Sequence, residues 1–443
     1  MSRRPALAGK SAAPARQLGL LAAIALVMGN MIGSGVFLLP ASLARYGWNA
    51  VGGWVVTISG ALVLAFVLTR LDRALPAAGG ATGYVRAAFG PVPGFLINWV
   101  FMVATLAGVV TIAVAAISYL SSFVPAIAAR PFVPALCAVA LLWAMTLVNL
   151  RGVRAAGHVQ IVTLALKIVP LVVVVVLAAG VLAGERAQVP PFEPAAISAG
   201  ALGGAAALTL WALLGFECAC LVAARVRDPA VNVPRATLWG TAVTGLLYLL
   251  VCSAIAMLLP PAVASASAAP FATFVERYWS AGPAALVALF AIVSCVGALN
   301  GWILVQGEMM RRMAEQRLLP AWLGATDAAG TPRRALTVSA LCASVLALLN
   351  ASRSLQGLFE FLLLLSTSAT LWFYLACAVS AVRLGVARPA ALLGAAYAAG
   401  TLWGAGIAAS ALSLVLMIAG LPLYWWARRE RAVNGLEERY SAG

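Results

Sequence analysis

Two long apolar segments of this chain are each interrupted by glycines near the middle. The first interruption lies in Gly29 to Phe37, with the sequence GNMIGSGVF, and the second in Leu210 to Glu217, with the sequence LWALLGFE. Glycine weakens a helix because its backbone has the most conformational freedom to lose. A lipid bilayer tolerates unpaired backbone only where protein encloses it. Paired interruptions in the two halves of a chain therefore predict a central cavity built from broken helices.

The composition is that of a polytopic membrane protein. Hydrophobic residues make up 63% of the 443 residues, charged residues only 9%, and the mean hydropathy is +1.01. A soluble domain carries about 25% charged residues. Here the apolar residues recur in blocks of about 18 to 30, long enough to cross the hydrocarbon core as helices. The sequence predicts an all-α protein with about twelve spans, at 18–44, 50–72, 94–122, 132–150, 158–182, 200–224, 236–259, 283–310, 335–351, 356–382, 389–406 and 408–427.

The positive charge is unevenly distributed among the predicted loops. The formal net charge is +16, and 23 of the 29 Lys and Arg residues fall on the cytoplasmic side when the spans are threaded from a cytoplasmic N-terminus. Lys167 lies within a span, and the other five are Arg45, Arg130, Arg186, Arg277 and Arg353. This alternation follows the positive-inside rule. It predicts that both termini are cytoplasmic, and it explains the charge without a nucleic-acid partner.

Residues that support metal or nucleophilic chemistry are sparse. The seven cysteines all lie in apolar stretches, where we expect small buried hydrophobic side chains. Cys218 and Cys220 lack the spacing and the companion ligands of a metal site, and His158 is the one histidine in the sequence. We therefore expect no metal, no cofactor and no enzymatic activity.

The interrupted spans divide the first ten spans into two groups of five. Breaks in spans one and six of such an arrangement predict an inverted repeat. Between spans two and three, Tyr84 to Phe89 is predicted as a short amphipathic helix on the cytoplasmic surface. The predicted units are a cytoplasmic tail (1–17), a repeat core (18–388), two added helices (389–427) and a second cytoplasmic tail (428–443).

Main-chain groups freed at the two breaks predict the chemistry of the cavity. Departure from helical geometry at Gly33 to Gly35 exposes amide N–H groups beside a helix terminus, and such groups attract a carboxylate. The break around Trp211 to Gly215 frees carbonyl oxygens that suit an ammonium group. The predicted ligand is a zwitterionic amino acid or an amine.

Two ionisable residues lie deep in predicted spans, where charge is costly and commonly functional. Glu217 is interpreted as a proton-linked or pH-sensing site; the alternative is a protonated carboxyl group satisfied by a neighbouring hydroxyl or carbonyl. Lys167 has two interpretations. Its ammonium could tie carbonyls of broken span one to those of span eight, or it could act in coupling, by taking the place of a sodium ion or by carrying a proton.

Aromatic residues recur near the predicted midplane. Trp211 lies on the second break, and Trp302 directly follows Asn300 and Gly301. An aromatic face can bind a cationic substrate or close a hydrophobic gate. The residues placed near the midplane are Phe101, Trp211, Phe216, Trp302 and Tyr374.

Several motifs, in order along nearly the whole chain, carry a family resemblance. They are Gly29–Phe37 with Leu38-Leu39-Pro40, Phe89-Gly90-Pro91, Leu210–Glu217, Asp228-Pro229 with Asn232-Val233-Pro234, and Gly301-Trp302. The sequence resembles the amino acid–polyamine–organocation superfamily, specifically its bacterial basic amino acid/polyamine antiporters such as the arginine/agmatine exchanger. The resemblance implies a LeuT-like fold with alternating access in the bacterial inner membrane, and it allows a homodimer.

The resemblance also implies roles for individual residues. Trp302 matches an aromatic residue that stacks under the substrate side chain, and Ser366 matches a serine that hydrogen-bonds it. Glu217 matches a pH-linked glutamate of the gate, and Tyr374 a tyrosine of the gate. The residues implied to contact substrate are Met31, Ser34, Gly35, Trp211, Leu214, Trp302 and Ser366.

Three positions depart from the arginine/agmatine pattern. Val109 stands where that exchanger has a substrate-binding asparagine, and Phe101 stands where it has a gate tyrosine. Lys167 adds a cation that many other amino acid transporters of the superfamily carry. The lost polar contact and the added cation weaken the expectation of arginine itself and favour smaller or less polar amino acids.

The leading hypothesis is a secondary transporter that exchanges an amino acid for another amino acid or for a decarboxylated amine, as in arginine/agmatine exchange. The alternative is a proton-coupled symporter or exporter of neutral amino acids that uses Lys167. A more remote alternative is a membrane receptor that senses a substrate without transporting it. The expected partners are small amino acids or polyamines, protons in the second case, and the lipid bilayer.

Overall fold

The computed structural model describes residues 19–76, 81–130, 132–151, 153–187, 189–216, 226–327 and 330–426. Within these ranges the chain is helical and contains no β-strand. The α-helices there are α1 (Leu20–Met31), α2 (Gly35–Leu43), α3 (Trp48–Ala74), α4 (Ala81–Phe89), α5 (Pro91–Ser121), α6 (Ala126–Ala129), α7 (Val133–Leu150), α8 (Val153–Ala183), α9 (Ala199–Leu213), α10 (Pro229–Leu258), α11 (Pro261–Ala266), α12 (Pro270–Tyr278), α13 (Ala281–Glu315), α14 (Arg333–Leu349), α15 (Leu355–Arg383), α16 (Arg388–Gly404) and α17 (Ile407–Ile418).

Many of these helices are long and apolar enough to cross a bilayer. In the part of the chain that the structure describes, eight helices meet that requirement, and a ninth span is obtained when α1 and α2 are joined as one bent helix. The apolar helix α9 is shorter, at 15 residues. These helices make the protein an integral membrane protein, and the all-α prediction is confirmed.

The first predicted break is present. Helix α1 ends at Met31, α2 begins at Gly35, and the two axes differ by 47°. Between them Ile32 is extended, with φ −72° and ψ 93°. The chain therefore leaves helical geometry within the Gly29 to Phe37 motif, as its glycines predict.

The second break begins later than the sequence suggested. Helix α9 continues through Trp211 and ends at Leu213. Gly215 then adopts φ +112°, a conformation that side chains other than glycine rarely adopt. The predicted gate residue Glu217 lies outside the described residues, as do Cys218 and Cys220.

Close packing of small residues joins the broken helices to their neighbours. Helix α3 packs on α9, and a Cβ atom on Gly53 of α3 would lie 2.5 Å from Cβ of Ala205 in α9. Helix α10 packs on α1, where a Cβ atom on Gly240 would lie 2.7 Å from Val27. Helix α5 packs on α15, and α13 packs on α8. Small residues at these positions let the helix backbones approach each other in a membrane.

The short helix predicted at Tyr84 to Phe89 is present, beginning three residues earlier as α4. The Tyr84 hydroxyl donates a hydrogen bond to the Asp72 carboxylate, at 2.9 Å, and Arg383 lies 5.0 Å from the ring centre of Phe89. These contacts attach α4 to the ends of α3 and α15.

The expectation that the cysteines are buried is only partly correct. Cys252, Cys295 and Cys377 are buried, whereas Cys137 is half-buried and Cys342 is exposed. Cys342 lies on α14, where Leu341 and Val345 are also exposed. An apolar residue that faces lipid is exposed in the protein alone, and the sequence pattern does not distinguish this environment from a protein core.

Candidate functional site

A cavity of about 50 Å³ lies between the broken helices. This volume is enough for roughly three or four water molecules. Its walls come from the α1–α2 break, α5, the end of α9, α13 and α15. The lining residues are Asn30, Met31, Gly33, Ser34, Gly35, Phe101, Ala104, Thr105, Gly108, Ile112, Trp211, Ala212, Leu214, Ala298, Trp302, Ser366 and Thr370.

The cavity brings together most of the residues predicted from the sequence. The predicted substrate-contacting residues Met31, Ser34, Gly35, Trp211, Leu214, Trp302 and Ser366 all line it, and so does Phe101. Lys167 and Tyr374 are not among its lining residues. Instead, Tyr374 is fully buried and stacks on Phe216, with ring centres 5.2 Å apart, just beyond the end of α9.

The N-terminus of α2 forms the positive end of the cavity. The first amide N–H groups of a helix have no partner within it, and the helix dipole adds partial positive charge there. The Ser34 hydroxyl, at the same point, is buried without a hydrogen-bond partner. A Cβ atom on Gly35 would lie 3.0 Å from both Ala212 and the Trp211 ring. Glycine at this position therefore allows α2 to approach α9 closely.

The C-terminus of α9 forms the negative end. The last carbonyl groups of a helix lack intrahelical partners and carry partial negative charge. Leu214 leaves helical geometry with φ −60° and ψ 140°. Next to it, a Cβ atom on Gly215 would lie 3.3 Å from the Asn30 carbonyl oxygen. The amide N–H donors at the start of α2 suit a carboxylate, and the carbonyl acceptors at the end of α9 suit an ammonium group. Both helix ends border the same cavity, so the arrangement is complementary to a zwitterion.

Side chains from three neighbouring helices contact carbonyl groups at the break and in the first turn of α2. Tyr248 of α10 donates to the Met31 carbonyl at 2.9 Å. Tyr119 of α5 donates to the Phe37 carbonyl at 2.8 Å. Ser294 of α13 contacts the Gly33 carbonyl at 3.5 Å. These bonds meet the membrane requirement that non-helical backbone be satisfied by protein.

Lys167 stabilises the other end of the break. The side chain is fully buried, and Nζ donates a hydrogen bond to the Gly29 carbonyl oxygen at 3.1 Å. Gly29 lies in the last turn of α1, where a carbonyl lacks a partner within the helix. The predicted tie to broken span one is therefore present.

Aromatic rings form the side walls of the cavity. Trp211 meets Phe359 edge-to-face, with ring centres 5.7 Å apart and an angle of 88°. Phe101 stacks on Phe373 at 4.4 Å, with an angle of 21°. Trp302 is half-buried on the α13 side. Aromatic faces such as these are suitable for a cation as well as for apolar carbon.

The wall formed by α5 presents Gly108 rather than Val109 to the cavity. Val109, which stands where the arginine/agmatine exchanger has a substrate-binding asparagine, is buried but is not among the lining residues. Its neighbour Gly108 faces the cavity, and a Cβ atom there would lie 3.3 Å from Ser366 Oγ. Ser366 itself donates to the Ala104 carbonyl at 2.8 Å. The direction in which a helical residue points depends on the rotation of the helix, which a motif alignment does not determine.

Several lining residues were not among the substrate-contacting or gate residues predicted from the sequence. They are Asn30, Gly33, Ala104, Thr105, Gly108, Ile112, Ala212, Ala298 and Thr370. A helical period would have found three of them, because Thr105 follows Phe101 by four positions, Thr370 follows Ser366 by four, and Ala298 precedes Trp302 by four. No group of three or more His, Cys, Asp or Glu residues that could hold a metal occurs in the described ranges.

Comparisons with known proteins find the same class of protein that the sequence motifs indicated. A family model for amino acid permeases matches residues 18–428. The chain is 31% identical over 340 residues to the cadaverine/lysine antiporter of Escherichia coli (strain K12), and the match covers 76% of this chain and 75% of the relative. It is 27% identical over 426 residues to the putrescine transporter PotE of the same organism, covering 94% and 97%. The putrescine transporter PotE of Haemophilus influenzae is 28% identical over 430 residues, covering 93% and 97%.

Proposed function

Because this chain belongs to the amino acid permease family, we propose that it is a secondary transporter that exchanges an amino acid for an amine across the bacterial inner membrane. The observation that carries the proposal is the convergence of two helix ends of opposite polarity on one cavity. The N-terminus of α2 would bind a carboxylate, and the C-terminus of α9 would bind an α-ammonium group. An amino acid presents both groups, whereas a diamine presents only the ammonium.

The proposed substrates are basic amino acids and their decarboxylated amines. The relatives are named for cadaverine and lysine and for putrescine, and arginine/agmatine exchange is the counterpart suggested by the sequence motifs. The cavity lining contains no acidic side chain among the described residues. A distal cation would therefore interact with the rings of Phe101 and Trp302 and with neutral oxygen atoms.

We propose the twelve-span, five-plus-five architecture, with the repeat core at 18–388 and two added helices at 389–427. The helix packing supports this arrangement. Span two packs on span six (α3 on α9), and the matching pair in the other half, spans seven and one, also packs together (α10 on α1). Likewise span three packs on span ten (α5 on α15), and span eight packs on span five (α13 on α8). Each pair maps onto its counterpart when five is added to or subtracted from each span number.

A second candidate is a proton-coupled symporter or exporter of neutral amino acids. The observation that favours it is the Lys167 ammonium on the Gly29 carbonyl, because this contact places an ionisable group against the broken helix. Protonation of Lys167 would then be linked to the geometry of the α1 end. In the exchanger, by contrast, the same ammonium would be a permanent structural tie.

Exchange in proteoliposomes tests the proposal. Purified protein would be reconstituted into liposomes loaded with lysine, ornithine, arginine, cadaverine, putrescine or agmatine, and uptake of each labelled compound would be measured. Exchange predicts rapid uptake only into loaded vesicles, with protein-free liposomes as the control. Uptake of neutral amino acids into empty vesicles under a pH gradient would instead support symport. If no loaded compound accelerated any uptake, the exchanger would be rejected.

A further inference from the structure

Two polar side chains on α5 and α13 meet where Thr105 lines the cavity; Gln306 itself is not among the lining residues. Thr105 lines the cavity, and its hydroxyl contacts both the Gln306 side-chain oxygen and the Met102 carbonyl, the latter at 2.9 Å. The Gln306 amide nitrogen donates to the same Met102 carbonyl at 3.3 Å. Both side chains are buried, with Gln306 only 1% exposed. Neither residue was singled out by the sequence motifs.

The positions of Thr105 and Gln306 along their helices place them near the region expected for the side chain of a bound substrate. Gln306 follows Trp302 by four positions on α13 and therefore shares its face of the helix. Thr105 lies three residues before Gly108, about 4.5 Å along the axis of α5. Gly108 is itself close to Ser366 and the Trp211 indole. Thr105 therefore lies about one helical turn from the level of Trp211, and Gln306 lies one turn from Trp302 on the same face of α13.

A primary amide in a membrane helix is costly to bury unless it is hydrogen-bonded. The Gln306 oxygen has two lone pairs, and the threonine hydroxyl oxygen has two more. A single hydroxyl proton cannot use all of them, so the pair retains the capacity to accept further hydrogen bonds.

We infer that the Thr105–Gln306 pair binds the distal ammonium group of a cationic substrate, with Trp302 covering the ammonium from one side. This inference rests on the proposed exchange of basic amino acids for amines. The ammonium group carries three donors and no acceptor. It can donate to Gln306 Oε1 and Thr105 Oγ1 while the Gln306 amide keeps its bond to the Met102 carbonyl. A neutral side chain of the same length offers no donor to these oxygens.

Competition by matched ligands tests the inference. In reconstituted wild-type protein, inhibition constants for unlabelled lysine, cadaverine and norleucine would be measured against labelled lysine exchange. Norleucine has the same chain length as lysine but lacks the distal amine. In Thr105→Val and Gln306→Leu, we expect the constants for lysine and cadaverine to rise about tenfold or more, as for loss of a hydrogen bond to a charged group. The constant for norleucine should stay unchanged or fall.

Two control variants separate recognition from structure. Thr105→Ser keeps the hydroxyl and should retain wild-type inhibition constants. If Gln306→Leu does not fold, the comparison of Thr105→Val with Thr105→Ser still tests the inference. Thr146→Val removes a buried hydroxyl that bonds to Leu142 of its own helix, away from the cavity, and should change nothing. An equal loss for all three ligands would show that the pair is merely a tie between helices and would overturn the inference. Absence of any cation exchange by the wild type would overturn the proposed function itself.

Discussion

The Lys167 ammonium donates a hydrogen bond to the Gly29 carbonyl at 3.1 Å and so joins the middle of α8 to the last turn of α1. No other lysine or arginine is fully buried within the described residues. The bond lies just before the break that forms the cavity. A charge at this depth is costly and commonly functional, and its main-chain acceptor belongs to the helix that ends at the cavity.

Replacing Lys167 with methionine is expected to reduce exchange by about tenfold or more. The Gly29 carbonyl would lose a charged donor, and hydrogen bonds of this kind contribute about 1.5–3 kcal/mol. Exchange and uptake driven by a pH gradient would be measured in parallel in liposomes. Loss of gradient-driven uptake with preserved exchange would assign Lys167 to coupling. Unchanged transport in both assays would remove it from the mechanism.

Gly35→Ala should weaken substrate binding. The added methyl group would lie 3.0 Å from the Trp211 ring and from the backbone of Ala212, so α2 must move away from α9. Overpacking of this kind costs about 1–3 kcal/mol. Gly200→Ala on α9 is the matched control, because no atom lies within 4 Å of its added methyl group. Ligand-induced thermal stabilisation would be compared for the two variants, and an equal response would contradict the prediction.

The two small-residue contacts of the proposed repeat should differ in cost. A methyl group on Gly53 meets both Cβ and the backbone of Ala205, whereas on Gly240 it meets the side chain of Val27. Gly53→Ala should therefore lower the thermal midpoint more than Gly240→Ala does, because a side chain can move more easily than a helix backbone. Gly180→Ala, which has open space around it, serves as the control. The opposite order would indicate that α3 and α9 are not rigidly packed.

Membrane orientation can be tested with single cysteines. Ala195 and Ala321 are both exposed, in the loops that follow α8 and α13. The positive-inside rule predicts that Ala195 faces outward and Ala321 faces the cytoplasm. In a cysteine-free background, Ala195→Cys should react with a membrane-impermeant maleimide on intact cells, and Ala321→Cys only after permeabilisation. The reverse result would invert the proposed topology.

Much of the site follows from the amino-acid sequence. The Gly29 to Phe37 motif predicted the break between α1 and α2, because a membrane span that contains glycines and a polar residue at mid-depth can open where protein encloses its backbone. In the Leu210 to Glu217 motif the helix ends at Leu213, and residues 217–225 lie outside the described part of the chain. Trp302 and Ser366 followed from the family resemblance, and both line the cavity. Which residue of the Val109 segment faces the cavity did not follow from the motifs, because spacing along a helix does not fix its rotation.

The amino-acid sequence by itself determined that this protein is helical, lies in the membrane and is interrupted between α1 and α2, since hydropathy and glycine placement act locally along the chain. Only the tertiary structure decided that Gly108 faces Ser366 and that Gln306 reaches Thr105. It also decided which carbonyl Lys167 binds. These contacts join residues more than 100 positions apart, and they depend on helix rotation and close approach, which arise only when the whole set of helices packs together.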